Sequence, residues 1–474
     1  MNPGIKNKDE YVKVNKTSKK LKEMVNNDPL RLHYHLMPPT GWLNDPNGLI
    51  QHNGIYHIYY QYTPFYAGWG NKIWGHYTTK DWLNFKEEEP FLYPDHEDDR
   101  DGAYSGCAYI KDNQFHYFYT GNVKLHDKSY DYIMNGREQN TIHITSLDGY
   151  HYENKVSVLK NKDYPSHMSC HVRDPKVYEK NGAYHMVLGA RDDQDQGCAL
   201  LYKSKDLTSW EFEKQIYATK KMGYMWECPD IFNVDNQDIL LTCIQGLDHH
   251  DDHYQNIFSV GYFTMNDELG EFKELDYGFD FYACQTFKDD KNRRIMLGWM
   301  GLPEEAGYNN EPSVNNGWIH ALTMPRVLHY KDNHLYQVPL EEMKLLRKDH
   351  QQFSFTNKQE FLSENSVFEL QLSSSFHNLD LQLRDDVHLF YKDHLLTLKL
   401  GKSGYGRKVR HLKLDQLHNL RIFSDTSSLE IFINDGQYTM TTRVYSELKQ
   451  NIVCHCDTHC KMDFYPLSSY NLSK

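Results

Sequence analysis

The 474-residue sequence lacks a long apolar run, and this excludes a protein built on membrane-spanning helices. No segment approaches the roughly 20 consecutive apolar residues that a membrane span requires. The segment MNPGIKNKDEYVKVNKTSKKLKEMV at the start is polar and lacks the apolar core of a secretory signal peptide. The sequence therefore predicts a soluble, cytoplasmic protein that has no membrane partner.

Runs of basic residues are also lacking, and the formal net charge is −13. A field of that sign disfavours nucleic acid as a partner. A phosphorylated ligand would need a local cationic pocket that opposes the charge of the whole chain.

The nine cysteines cannot all pair within the chain because their number is odd, which favours reduced thiols in a reducing compartment. Cys454, Cys456 and Cys460 alternate with two histidines and so raise the possibility of a metal site. Their Cys-x-Cys spacing lacks the usual two- to four-residue gap of structural zinc sites. The alternation along 452–464 instead indicates a strand with small buried thiols, and no metal is expected there.

Aromatic residues are abundant at 14%, with 36 Tyr, which favours strands and sugar-stacking surfaces over helical bundles. They recur in a pattern in which a turn Asn precedes a short aromatic or aliphatic strand. Before each copy comes a strand that has a polar residue near its start. After each copy come a further strand, a polar turn and an outer strand. The turn residues are Asn53, Asn113, Asn181, Asn236 and Asn292.

Five such units of about four strands, each roughly 50–70 residues long, predict an all-β fold with a five-bladed β-propeller. The first strand of each blade would line the central channel. Asp45, Ser105 and Arg173 each lie eight positions before the turn Asn of their unit, and Glu227 lies nine positions before its own. The alternative is an all-β array whose inner charges only cap channel waters, but charges buried without a task are costly. The residues expected to converge are Asp45, Ser105, Arg173, Asp174, Glu227 and Asp280.

The pattern changes at about residue 345 to segments that alternate with period two, including a hairpin turn signal at 434–436. This predicts a C-terminal antiparallel β-sandwich. Residues 8–27 are compatible with a short amphipathic helix or a loose arm. The expected division is an N-terminal arm or short helix at 1–30, a propeller at 31–340 and a sandwich at 341–474.

Asp45 lies in the segment WLNDPNG, and Pro46 restricts its backbone and so fixes the direction of its carboxylate. Asn44 and Asn47 can supply amide donors that keep Asp45 ionised. A simple Asx-type turn is the alternative for this motif alone.

Glu227 is flanked in sequence by Trp226 and Cys228, which predicts a partly desolvated carboxyl with a raised pKa, as a general acid needs. The alternative is a surface Glu beside a proline-terminated strand. Arg173 and Asp174 form a further charged pair, in which Arg173 can hold a carboxylate and Asp174 can accept two sugar hydroxyls. The alternative interpretation of Arg173 and Asp174 is an ordinary adjacent Arg-Asp pair at a turn, without a role in binding.

Tryptophans at a propeller mouth would form an apolar wall that stacks on sugar C–H faces, and packing between blades is the alternative. A mixture of the two is expected, with Trp69 and Trp299 the better ligand contacts. The tryptophans concerned are Trp42, Trp69, Trp74, Trp226 and Trp299.

Taken together, these motifs resemble glycoside hydrolase family 32, the invertases and fructan hydrolases. Its marks are a W-[ML]-N-D-P-N-G block, an aromatic-S-G block, an R-D-P block and an E-C block. Leu43 and Tyr104 stand where Met and Phe are commoner. The matching segments are 42–48, 104–106, 173–175 and 227–228, with further likeness at 59–61, 280–283, 298–299 and 321–326.

The resemblance implies a propeller plus sandwich and a retaining mechanism without metal or organic cofactor. It implies that Asp45 is the nucleophile, Glu227 the acid and then the base, and Asp174 the stabiliser of the transition state. The substrate-binding residues expected are Trp42, Asn44, Gln61, Trp69, Tyr104, Ser105, Arg173, Cys228, Asp280 and Trp299.

The leading hypothesis is that a monomer or homodimer hydrolyses a small sugar, sucrose 6-phosphate or sucrose. A fructan hydrolase or fructosyltransferase on the same scaffold is an alternative, which product analysis at high sucrose would distinguish. A non-catalytic sugar-binding propeller is a remote alternative, since such a protein could lose Asp45 or Glu227 and this chain keeps both.

Overall fold

The computed structural model describes residues 4–303, 307–447 and 449–473. Strands dominate these residues. Within them, no helix combines the length and the apolar character needed to cross a membrane.

Two short helices, α1 (Lys8–Thr17) and α2 (Lys19–Asn26), occupy the segment for which the sequence left a helix or an arm open. The side chain of Asn7 caps α1 by accepting the backbone N–H of Glu10 at 2.9 Å. Val25 of α2 is fully buried, so the segment packs on the remainder of the chain.

Four sheets, each with a core of four antiparallel strands in sequence order, form propeller blades. Their middle strands are buried on both faces because neighbouring blades cover them, which explains near-continuous apolar runs such as IYHIYYQYT. The strands are β1 (Gly41–His52), β2 (Ile55–Thr63), β3 (Ile73–Thr79), β4 (Asn84–Glu87), β5 (Ala103–Lys111), β6 (Gln114–Lys124), β7 (Arg137–Ser146), β8 (Val156–Leu159), β9 (Met168–Lys180), β10 (Ala183–Asp192), β11 (Gly197–Ser204), β12 (Glu211–Ile216), β13 (Met225–Val234), β14 (Gln237–Gln245), β15 (Phe258–Met265) and β16 (Lys273–Glu274).

The turn that the repeat predicts between the first two strands of each unit is confirmed. All five turn asparagines adopt the left-handed conformation, with φ between 50° and 67°. Asn tolerates this region better than most residues, which explains its recurrence at these positions.

A fifth sheet and a short helix follow the four blades. The sheet has the order β17-β18-β21-β22, with β20 paired to β18, and β19 instead joins β1 in parallel. These elements are β17 (Tyr282–Lys288), β18 (Arg294–Met300), α3 (Glu311–Asn315), β19 (Trp318–Ile319), β20 (Ala321–Leu322), β21 (Arg326–Lys331) and β22 (His334–Pro339).

The C-terminal part is a β-sandwich with an apolar core, as the period-two pattern predicts. One long strand, β32, pairs with β25 through its first half and with β24 through its second, and so joins the strands on either side of it into one ten-stranded sheet. The strands are β23 (Gln351–Ser363), β24 (Phe368–Phe376), β25 (Leu379–Arg384), β26 (Val387–Lys392), β27 (Leu395–Leu400), β28 (Val409–Lys413), β29 (Leu417–Asp425), β30 (Ser428–Ile433), β31 (Tyr438–Arg443) and β32 (Gln450–Pro466). The last strand, β33 (Asn471–Ser473), leaves the sandwich and pairs in parallel with β4 of the first blade.

The cysteine cluster of β32 faces the core of the sandwich. Cys454 and Cys460 are fully buried and Cys456 is 5% exposed, whereas His455 and His459 point to solvent. Successive side chains of a strand point to opposite faces, so the thiols and the imidazoles are separated. No group of three potential ligands that could hold a metal ion occurs in the described part of the chain.

Asp280 joins the propeller to the sandwich, and this corrects its interpretation as a sugar ligand. Its Oδ1 accepts a hydrogen bond from Nη2 of Arg407 at 2.7 Å. Its Oδ2 accepts one from Nε of Arg407 at 2.7 Å and one from the backbone N–H of Arg443 at 2.8 Å. Both charged side chains are 0–1% exposed. The carboxylate is therefore engaged in a structural ion pair and does not line the cavity that holds Asp45.

A second buried polar network crosses the same joint. His35 bonds Asp425 and Glu430 at 2.8 Å each, and Glu430 accepts Arg326 at 2.5 Å. Burial alone disfavours the imidazolium, but the hydrogen bonds to the two carboxylates outweigh it and raise the pKa of His35.

We expect Arg407→Met to destabilise the fold by about 3–5 kcal/mol, because it leaves the carboxylate of Asp280 buried and unpaired. Lys449→Met, which breaks an exposed ion pair with Glu364, is the control and should change stability by less than about 1 kcal/mol. Urea unfolding measures both. The double variant Arg407→Met/Asp280→Asn should recover part of the loss, and a loss below about 1 kcal/mol for the single variant would contradict the assignment.

Candidate active site

A cavity of about 220 Å³ opens where the inner strands of the sheets enter the centre of the propeller. Of the thirteen predicted site residues, ten line it and three do not. The ten are Asn44, Asp45, Gln61, Trp69, Tyr104, Arg173, Asp174, Glu227, Cys228 and Trp299.

A bulge in each inner strand positions these side chains. The pairing register shifts between Leu43 and Pro46 in β1, and at equivalent points in β5, β9, β13 and β17. Asp174, with φ of 61°, and Cys228, with φ of 47°, adopt left-handed backbone there. Such conformations are strained for residues other than Gly, and they re-aim the neighbouring side chains.

Asp45 is held by neutral donors. Asn44 Nδ2 donates to Oδ1 at 2.9 Å, the Ser105 hydroxyl donates to Oδ2, and Gln61 Nε2 approaches Oδ2 at 3.4 Å. Ser105 is fully buried and does not line the cavity itself, but it bonds Asp45 and Gln61, which do. Asn47, expected to be a second donor, lies behind the strand, where its side chain bonds backbone groups.

Burial raises the pKa of Asp45, whereas the hydrogen bonds from Ser105 and Asn44 lower it and the nearby charge of Glu227 raises it further. The donors thus offset part of the cost of an ionised carboxylate at the bottom of the cavity.

Glu227 has charged and neutral donors on both oxygens. Arg173 Nη2 bonds Oε1 at 2.5 Å, while the Tyr282 hydroxyl and Gln245 Nε2 donate to Oε2 at 2.7 and 2.6 Å. The carboxyl faces the cavity in reach of a ligand, with its side chain 15% exposed.

The sequence predicted that Trp226 helps to desolvate the carboxyl of Glu227, and the structure corrects this. The indole of Trp226 points away, donates to the carbonyl of Met222 at 2.9 Å and stacks on Phe263. Alternation along the strand directs adjacent side chains to opposite faces. The surroundings of Glu227 are therefore polar rather than apolar.

Asp174 lies near the other two carboxyl groups. Its Oδ2 accepts the backbone N–H of Cys228 at 3.0 Å, and the Cys228 sulfur lies 3.7 Å from Oδ2 of both Asp174 and Asp45. Burial, opposed by Arg173 and assisted by the charges of Glu227 and Asp45, raises the pKa of Asp174 to about 7. The carboxyl of Asp174 therefore holds its proton to a higher pH than an exposed aspartic acid does.

Of the five tryptophans, Trp69 and Trp299 line the cavity, whereas Trp42 does not. Trp42 is 2% exposed and donates to Asn44 Oδ1 at 2.9 Å, so it positions the residue beside Asp45. Trp69 is 53% exposed at the mouth, and Trp299 lines the wall. The ammonium of Lys72 lies 4.8 and 4.4 Å from the ring centroids of Trp42 and Trp69.

Sequence reasoning missed four polar residues of the cavity, Lys124, Arg137, Gln245 and Tyr282. The repeat contained a signal for two of them. Tyr282 immediately precedes the bulge of β17, as Glu227 does in β13, whereas Asp280 lies outside the strand. Gln245 closes β14 much as Gln61 nears the end of β2.

We expect Asp174→Asn to stabilise the fold more at pH 8 than at pH 5. Because the native pKa is raised, the native state holds a proton that the unfolded state releases, so stability falls as pH rises from about 4 to about 7. Asn removes this loss. Melting temperatures at the two pH values measure the effect, with the exposed Asp290→Asn as control; an equal shift at both values would contradict it.

Residues 35–339 match the model of the glycosyl hydrolases family 32 N-terminal domain, and residues 341–459 match that of the family 32 C terminal. A sucrose-6-phosphate hydrolase of Bacillus subtilis (strain 168) is 38% identical over 453 residues, which cover 90% of this chain and 91% of that protein.

Solved structures that are similar to this chain indicate the same family. The structure of a sucrose-6-phosphate hydrolase from Lactobacillus gasseri superposes with a TM-score of 0.86 at 29% identity, and covers 96% of this chain and 97% of that one. A variant of a Bombyx mori GH32 beta-fructofuranosidase in complex with sucrose gives a TM-score of 0.81 at 26% identity, over 97% and 99% of the two chains. The chain therefore belongs to glycosyl hydrolases family 32.

Proposed function

We propose that this chain is a retaining β-fructofuranosidase that hydrolyses sucrose 6-phosphate, sucrose, or both. The observation that carries the proposal is the meeting of Asp45, Asp174 and Glu227 in one cavity, linked through Arg173 and the Cys228 sulfur. Relatives named sucrose-6-phosphate hydrolase and a related fructofuranosidase seen with sucrose support the substrate class.

Asp45 is the proposed nucleophile. Its Oδ1 accepts the Asn44 amide alone among the described residues, while Oδ2 carries the Ser105 and Gln61 bonds. Attack of Oδ1 on the anomeric carbon of the fructosyl unit forms a covalent ester and breaks the glycosidic bond.

Glu227 is the proposed acid and then base. In the first step its proton passes to the leaving glycosidic oxygen, and in the second it takes a proton from the water that attacks the fructosyl ester. The Tyr282 hydroxyl can donate to the carboxylate or rotate to accept from the protonated acid, so it accommodates both states.

Asp174 is the proposed stabiliser of the oxocarbenium-like transition state through the fructose hydroxyls. Arg173 lies 3.9 Å from Asp174 and contacts Glu227, so one cation holds two of the three carboxyl groups. Trp69 and Trp299 are the proposed walls for the sugar faces, with Tyr104 and Gln61 as further contacts.

We further propose that the fifth sheet completes a five-bladed propeller. Its first strand β17 contacts both β13 and β1, so the inner strands form a continuous ring. The proposed division is an N-terminal arm at 1–30, a catalytic propeller at 31–340 and a sandwich at 341–474.

A cytoplasmic location is proposed from the cysteines, all nine of which are unpaired in the structure. The proposed assembly is a monomer or a homodimer.

We expect Asp45→Ala to lower kcat on sucrose at least 1000-fold, because no covalent intermediate can form, while the melting temperature stays within a few degrees. Azide, which fits the space left by the carboxylate, should restore part of the turnover and give fructosyl azide. Retention of half the wild-type rate without azide would exclude the nucleophile role.

We expect Glu227→Ala to lose much less activity on an aryl fructoside, whose leaving group needs no proton, than on sucrose. The ratio of kcat/KM for the two substrates measures this difference. Equal losses on both substrates would remove Glu227 from the acid role.

A further inference from the structure

Two cations face each other on the wall of the cavity. Lys124, at the end of β6, and Arg137, at the start of β7, are direct cross-strand partners, and both side chains line the cavity. Like charges directly opposite each other destabilise a strand pair, so this arrangement is costly without a ligand.

The local structure does not neutralise the two charges. In the ranges 4–303, 307–447 and 449–473, no carboxylate forms an ion pair with either side chain within 4.0 Å. Arg137 Nε is buried without a hydrogen-bond partner, and Nη1 makes one long contact, at 3.4 Å, with Asn122. Asp101 lies near Lys124, but its Oδ2 accepts the backbone N–H of Lys124 at 2.8 Å and forms no ion pair with the ammonium.

The pair lies on the leaving-group side of the site. Gln139, two residues after Arg137 and on the same face of β7, accepts Arg173 Nη1 at 3.2 Å, and Arg173 holds Glu227. The proposed acid must contact the glycosidic oxygen, so the sugar that departs lies beside it. Lys124 and Arg137 therefore lie on the wall that leads to Glu227, beside which the leaving sugar is expected.

We propose that Lys124 and Arg137 bind a phosphate group on the leaving sugar and make the enzyme selective for a phosphorylated disaccharide. This proposal rests on the proposed function of the cavity. A phosphate monoester carries a charge of about −1.5 to −2 at neutral pH and three acceptor oxygens. A guanidinium fork beside an ammonium matches that group in charge and hydrogen bonding.

The chain as a whole opposes such a ligand, with a formal net charge of −13. Arg173 and the partners of Glu227 are already engaged, so Lys124 and Arg137 are the cations left to receive an anion at this wall. Neutral sucrose would leave both charges without a partner, which predicts weaker binding of its transition state.

The test compares kcat/KM for sucrose 6-phosphate and sucrose in the wild type, Lys124→Met and Arg137→Met. The wild type should prefer the phosphorylated substrate, and each substitution should lower the ratio of the two constants at least tenfold. Lys128→Met, which removes an exposed cation of the following loop, is the matched control and should keep the ratio within twofold. An unchanged ratio in both cavity variants, or a wild type with no preference, would overturn the proposal.

A binding measurement separates this proposal from the reaction itself. Calorimetry on the Asp45→Ala protein should show glucose 6-phosphate binding at least tenfold more tightly than glucose, and adding Arg137→Met should abolish the difference. Equal affinities would overturn the phosphate site while leaving fructoside hydrolysis intact. A wild type that releases fructose from neither substrate would instead overturn the proposed function, whatever the calorimetry shows.

Discussion

The bulge in the inner strand of each sheet is the constraint on which the site depends. A regular strand would direct successive side chains to alternate faces, and only every second one would face the channel. The register shift beside Arg173 and the left-handed backbone at Asp174 bring two adjacent charged side chains to the same cavity. Strain of this kind costs on the order of 1–3 kcal/mol per residue and persists because the surrounding sheet fixes the backbone.

The three carboxyl groups of the cavity depend largely on neutral hydrogen-bond donors for support. Three carboxyl groups meet with Arg173 as the cation that bridges two of them, and the remaining support comes from neutral donors such as Ser105, Gln61 and Tyr282. Neutral donors orient an ionised carboxylate without cancelling its charge. The three carboxyl groups are therefore held close together in one cavity, where burial raises the pKa of Asp45 and of Asp174.

Repetition made much of this architecture predictable from the sequence. The turn asparagines, the strand order within four blades and the convergence of Asp45, Asp174 and Glu227 all follow from one repeating register. The same spacing could also have excluded Asp280 from the cavity, because Asp280 lies too far before Asn292 to occupy the strand position that Asp45 has in its own unit.

Other features could not be read from a single sequence because they depend on packing across strands or domains. The engagement of Asp280 by Arg407 spans 127 residues, and the burial of Trp42 behind Asn44 depends on the neighbouring blade. The pairing of Lys124 with Arg137 depends on the length of the loop between β6 and β7, which no local pattern specifies.

The first blade carries a consequence for synthesis on the ribosome. Its four strands are complete by residue 87, but its two edges are covered by β19 and β33, which come from residues 318–319 and 471–473. Until those segments emerge, both edges expose unpaired backbone groups that invite pairing with other nascent chains. The blade that is translated first is therefore the last to have both edge strands paired. Until that pairing is complete, the nascent chain needs protection from aggregation.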